Sequence, residues 1–110
     1  MRLPEGHRAF VDISKLSDYC LNPNHPRGQH KARVFAAVLG FTALHSVVLQ
    51  NLLLEAARQE EATLGDNDIY GQRFVLDFEA VGPGGRGIIR SGWIIKSDED
   101  FPRLITCYVL

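Results

Sequence analysis

Cysteine is scarce. Cys20 and Cys107 are the only two in 110 residues, and no CxxC pair exists, so the thiols make no case for a zinc site. A single disulfide is one reading; two buried free thiols in a cytoplasmic protein is the expected one. Excess positive charge is also missing: the formal net charge is −1 and the pI is near 6.4. A dedicated DNA-binding domain draws much of its affinity from phosphate neutralisation, so whole-chain charge gives that class no support, although a local basic patch could still bind RNA. The longest apolar stretch, Ser46–Leu54, is interrupted by polar residues and too short to span a bilayer. The opening MRLPEGHRAF has no apolar h-region, so neither a secretory signal nor a membrane association is expected. No Ser-His-Asp arrangement stands out. Asp98-Glu99-Asp100 lacks the ligand spacing of a calcium loop. Gly82–Gly87 is glycine-rich but joins two strands rather than leading from strand to helix, which is the wrong context for a phosphate loop. No metal and no cofactor are expected.

What is present suffices for a core. Hydrophobic residues make up 45% of the chain, with six Phe, three Tyr and one Trp, which argues against disorder. There is no internal repeat and no long linker, so residues 1–110 read as a single domain with 1–8 loose. Asp12 or Ser14 can cap a helix over about 14–21, and Asn22-Pro23 ends it, because a residue before proline leaves the helical region. A second helix over about 29–39 has Val34, Phe35, Val38 and Leu39 as its apolar stripe and Gly40 as its cap. Thr42 caps a third, about 43–59, whose Leu44, Val47, Val48, Leu52 and Leu54 are expected to cover a sheet. Beyond Asp66-Asn67-Asp68, read as a turn, the period becomes two. Strands are predicted over about 72–81, 87–96 and 103–110, the first two joined at Gly82-Pro83-Gly84-Gly85. Helices first and an antiparallel meander second is an α+β order.

Chemistry concentrates in two places. His25, His30, Lys31 and Arg33 gather where the second helix begins, and a helix N-terminus with imidazole, ammonium and guanidinium beside it suits an anion. Cations there oppose the helix dipole; the plain alternative is a solvated polar face. On the strands, alternation puts Arg90, Thr106 and Tyr108 on the sheet face away from the helices. Such a set can hold a phosphate, although the same residues also suit an exposed strand face. Ser91 falls by parity with Trp93, nearer the core.

These residues belong to a longer pattern. Tyr19-Cys20-Leu21-Asn22-Pro23-Asn24-His25-Pro26, then Gly28, then His30-Lys31-Ala32-Arg33-Val34-Phe35 and Leu39-Gly40, resembles a small bacterial domain family of unknown function with the signature N-P-x-H-P-x-G-x-x-K-A-x-x-F. Tyr70-Gly71-Gln72-Arg73, Ile89-Arg90-Ser91-Gly92-Trp93-Ile94 and Pro102–Tyr108 continue it, so it covers about residues 10–110. Members of that family occur at the C-terminal tips of polymorphic toxins and as stand-alone proteins, some beside a small partner. The element order is similar to that of the barnase–EndoU–colicin–RelE ribonucleases. The resemblance implies a toxin-like, metal-independent ribonuclease. His25 or His30 would move protons, Lys31 and Arg90 would bear on the phosphate, and Thr106 or Tyr108 would orient it. Arg33, Arg73 and Ser91 would contact substrate. Where this chain has His30, the family often has another residue. RNA and a small antitoxin or immunity protein are the expected partners, and the unpaired edges of the sheet permit a homodimer. Two other readings stand beside it: a non-catalytic antitoxin or immunity protein, and a toxin acting on a nucleotide cofactor.

Overall fold

A computed structural model describes residues 1–110. Four antiparallel strands succeed the helical half in the order β1-β2-β3-β4: β1 (Ala62–Asp68), β2 (Gly71–Gly82), β3 (Gly85–Lys96) and β4 (Arg103–Val109). The α+β order expected from the sequence is the one observed. β1 is the addition. Asp66-Asn67-Asp68 belongs to this strand rather than to a turn, and Ile69-Tyr70 makes the connection to β2. Only Ala62 of β1 is buried, so the strand carries no period-two apolar signal and is held by its backbone ladder to β2.

The helical half departs from ideal α-helices. Leu16–Cys20 forms a π-helical turn in which the N–H of Leu21 bonds to the carbonyl of Leu16 at 2.8 Å. Helix α1 (Gln29–Val34) runs straight into a second π-helical turn, Phe35–Leu39, and Gly40 ends it at φ 71°. That left-handed value suits glycine. Thr42 caps the next turn, Ala43–His45, which leads into α2 (Ser46–Gln59).

The face that α2 buries is only partly the expected one: Leu52 and Leu54 are half-buried against the core as expected. Leu49, Leu53, Ala56 and Ala57 lie in the core, whereas Leu44 is 94% exposed and Val47 and Val48 are also exposed. Small Ala56 and Ala57 permit close approach to the N-terminal segment, where Gly6 packs on the Ala57 carbonyl. That contact also ties down residues 1–8, against the expectation of a loose terminus. Leu3 is buried, and the Met1 ammonium meets Glu61 at 2.6 Å.

The inner face of the sheet carries Phe74, Leu76, Phe78, Ala80, Ile89, Trp93, Leu104, Cys107 and Val109, packed against Leu16, Phe35, Leu39, Leu49 and Leu53. Fully burying each large side chain is worth about 1.5–3 kcal/mol. The tip of the β2–β3 hairpin docks on the end of the second π-turn, with the Gly84 N–H donating to the Leu39 carbonyl at 2.9 Å. Along the other side, α1 and the Leu16–Cys20 turn lie against β4. This placement brings helix side chains around the sheet edge toward its outer face.

Candidate functional site

Two devices place one lysine. Between Trp93↔Leu104 and Gly92↔Thr106 the β3–β4 register shifts by one residue, and Ile105 is the extra residue of a β-bulge. The bulge lets both Leu104 and Cys107 face the core while Thr106 and Tyr108 face outward. Bulges re-aim side chains in this way. On the helical side, the Leu16–Cys20 π-turn brings Tyr19 over the start of α1. Lys31 lies between them, its Nζ 3.2 Å from the Tyr19 hydroxyl and 3.3 Å from Thr106 Oγ1. The ammonium also stands 4.8 Å from the Tyr19 ring centroid and 6.0 Å from that of Tyr108.

Lys31 is half-buried and forms no ion pair, whereas Arg8, Arg73, Arg86, Arg90 and Arg103 each meet a carboxylate. Its hydrogen-bond partners are neutral hydroxyls. A cation in such surroundings keeps its charge for an incoming anion, and the hydroxyls can turn to donate to the same anion.

Lys31 separates two depressions. One is a polar cleft of about 610 Å³ lined by Ser14, Lys15, Asp18, Tyr19, His25, Lys31, Ile105 and Thr106. The other is an apolar groove of about 280 Å³ lined by His30, Lys31, Val34, Tyr108 and Val109. A more apolar pocket near Phe41 and Leu44 carries no titratable group and is not the place for acid–base chemistry.

The two histidines differ in what they can do. His25 Nδ1 accepts the backbone N–H groups of Arg27 and Gly28, each at 3.0 Å. Those two bonds commit Nδ1 to the loop and leave Nε2 as the ring nitrogen without a partner in the chain. Its ring meets Tyr19 edge to face at 4.7 Å. His25 thus staples the Asn22–Gly28 loop and braces Tyr19 at the wall of the cleft. His30 is exposed, has no hydrogen-bond partner within the chain, and lines the apolar groove.

Arg90 is placed as expected but not free as expected. Its Nε and Nη2 grip the Asp77 carboxylate at 2.8 Å each. That fork holds Asp77 below the usual carboxylate range and, with help from Tyr108, keeps the guanidinium firmly charged. Register sets Asp77, Arg90 and Tyr108 side by side across three strands. Arg90 is thus a neutralised neighbour of Tyr108 rather than an open phosphate clamp. Ser91 is a clearer correction. It is fully buried, donates to the Leu76 carbonyl at 2.7 Å and accepts from Trp93 Nε1 at 2.9 Å, so it cannot contact a substrate. Arg73 is engaged by Asp68 at 2.6 Å, and Arg33 is exposed; neither lines the cleft or the groove.

Beneath Lys31 lie the two free thiols, both buried. The hydrogen bond with Cys107, and more weakly Thr106 and Lys31 close by, draw the Cys20 thiol down, while its sulfur neighbour and burial push Cys107 up.

Sequence reasoning missed Tyr19 and Asp77 as parts of this arrangement. Asp77 was within reach: counting back from a two-residue turn at Pro83-Gly84 pairs it with Arg90. Tyr19 was not, because ordinary helix geometry would not place it over Lys31.

A family model described as a domain of unknown function (DUF6883) matches residues 2–110. No curated protein matches the chain in sequence. Among solved structures, the fold matches a chain of the "Contact-dependent growth inhibition toxin - immunity protein complex from Klebsiella pneumoniae 342", with a TM-score of 0.62 and 16% identity over 96% of each chain. At that identity the likeness is one of fold.

Proposed function

The chain belongs to the DUF6883 family of unknown function, and from its site we propose that it is a metal-independent ribonuclease of a bacterial toxin system. The observation that carries the reading is the unpaired ammonium of Lys31 held between the hydroxyls of Tyr19 and Thr106 at the meeting point of two open depressions. A phosphodiester seated there would have its non-bridging oxygens against a cation and two hydroxyl donors. Those groups favour the more highly charged transition state over the ground state. The reaction that needs no other reagent is attack by the ribose 2′-oxygen on phosphorus. The bond to the 5′-oxygen breaks, and a 2′,3′-cyclic phosphate and a 5′-hydroxyl result. His30 is the imidazole free to take the 2′-proton or to supply one to the leaving oxygen. In this reading Lys31 and the two hydroxyls meet the charge on the phosphate, and the chelator arm of the assay tests metal independence. The toxin context is supported by the fold shared with a chain of a toxin–immunity complex. RNA as substrate would set its place of action in the cytoplasm.

The test is incubation of the purified chain with total RNA, with and without chelator, beside Lys31→Met and Thr106→Val. Cleavage by the native chain in chelator, lost in both variants, is the expected result. Equal, negligible cleavage by all three, together with harmless expression in cells, would sink the reading.

One observation favours a second reading, a chain whose business is to bind a protein. Leu44, Val47 and Val48 form an exposed apolar group on the turn into α2 and on α2 itself, and such groups mark interaction surfaces. A toxin arrests growth when expressed alone. A non-catalytic partner does not, and it co-purifies with its neighbour.

A further inference from the structure

The groove beside Lys31 differs in kind from the cleft on its other side. Val34, Tyr108 and Val109 line it together with His30 and Lys31. Val34, the last residue of α1 and next to buried Phe35, is 39% exposed. Tyr108 presents an aromatic ring there, on the same cross-strand row as Asp77 and Arg90. The opposite cleft sets Ser14, Lys15, Asp18 and Thr106 among its lining beside Tyr19, His25 and Ile105, and is the more polar of the two. A site for phosphate alone would not need an apolar, aromatic-walled slot next to its cation. A nucleotide does need one, because its base is a flat apolar face attached to a charged backbone.

Resting on the nuclease reading, we propose that this groove is a nucleobase subsite. The phosphate bound at Lys31 is flanked on one side by a nucleotide whose base leaves its neighbours and stacks in the groove against Tyr108 and Val34. The other side of the backbone continues along the polar cleft past Lys15. The ligand class is therefore a nucleic acid strand with at least one unstacked nucleotide. A base locked in a continuous duplex cannot enter the slot without first being extruded.

The test uses a probe that cannot be cut. A short fluorescein-labelled oligoadenylate with 2′-O-methyl sugars throughout is compared, by anisotropy, with an abasic oligomer of equal length and charge. The native chain is expected to bind the base-bearing probe about tenfold tighter or more, the yield of one stacked base. Tyr108→Phe should keep that ratio, since the ring remains. Tyr108→Val and, on a different element, Val34→Asp should bring it close to one. Lys31→Met should weaken both probes alike. A ratio of one in the native chain, no binding of either probe, or a ratio that survives in Val34→Asp would overturn the subsite. The outcome is separable from cleavage. A chain that shows the ratio but cuts no RNA loses the nuclease reading and keeps the subsite; a chain that cuts RNA without the ratio does the reverse.

Discussion

The ammonium of Lys31 lies 3.3 Å from the hydroxyl of Thr106, a residue 75 positions further along the chain. No local rule joins them. The contact exists because a helix start meets the edge strand of the sheet at a bulge. If it is the anion site, Lys31→Met should lower RNA cleavage by roughly 10²–10³-fold, the scale of losing one preorganised donor. Melting temperature should hold or rise slightly, because an unpaired, half-buried cation is removed. Lys31→Arg should restore only part of the rate, since a planar fork replaces a point charge. Parallel cleavage assays and thermal melts check both halves.

The two histidines should separate cleanly. His30→Ala should lower kcat by about 10²-fold or more and remove one limb of the pH–rate profile. His25→Ala should leave that profile in place but destabilise the fold by about 1–2 kcal/mol, because two backbone N–H groups lose their acceptor. A pH–rate profile displaced by the His25 variant and untouched by the His30 variant would reverse the assignment.

Ser91→Ala should behave as a core change. It leaves the buried Trp93 Nε1 without an acceptor, at a cost of about 1–3 kcal/mol measured by urea unfolding. Per mole of folded protein, kcat/KM for RNA should be unchanged. A raised KM would restore Ser91 to the substrate contacts.

Acid should weaken one identified pair. Arg90 holds the Asp77 carboxyl below its ordinary 3.8. A depressed carboxylate contributes stability that is complete above that ordinary value and is lost as pH falls through the lowered one. Asp77→Asn should therefore flatten the decline in stability below about pH 4. The pair is more than a third exposed, so the difference should stay under about 1 kcal/mol. Urea titrations of both proteins from pH 5 downward measure it. An identical acid limb would mean that the pair adds no stability.

The reach of the sequence can be read from single residues. Gly40, Thr42 and the Gly82–Gly85 hairpin were legible because each obeys local backbone chemistry. The outward face of Arg90, Thr106 and Tyr108 was legible because strand parity is a rule of two. β1 was not, since its ladder asks nothing of its side chains beyond Ala62. The burial of α2 was legible only in part, at Leu52 and Leu54. Leu44, Val47 and Val48 outweigh Ala56 and Ala57 in hydrophobicity, yet shape decided in favour of the alanines. The division of labour between His25 and His30 depended on where two backbone N–H groups point, which composition does not encode.

The Leu16–Cys20 π-turn has one more consequence. Its bond from Leu21 back to Leu16 encloses one residue more than an α-helical turn would. Deleting a single residue there would rotate the downstream chain by roughly 100°. Tyr19 would then leave Lys31, or Cys20 would leave the core. Segment length, as much as residue identity, thus decides whether a homologue can assemble Tyr19, Lys31 and Thr106. A relative that keeps all three but aligns with a gap in this turn should be counted as having a different site.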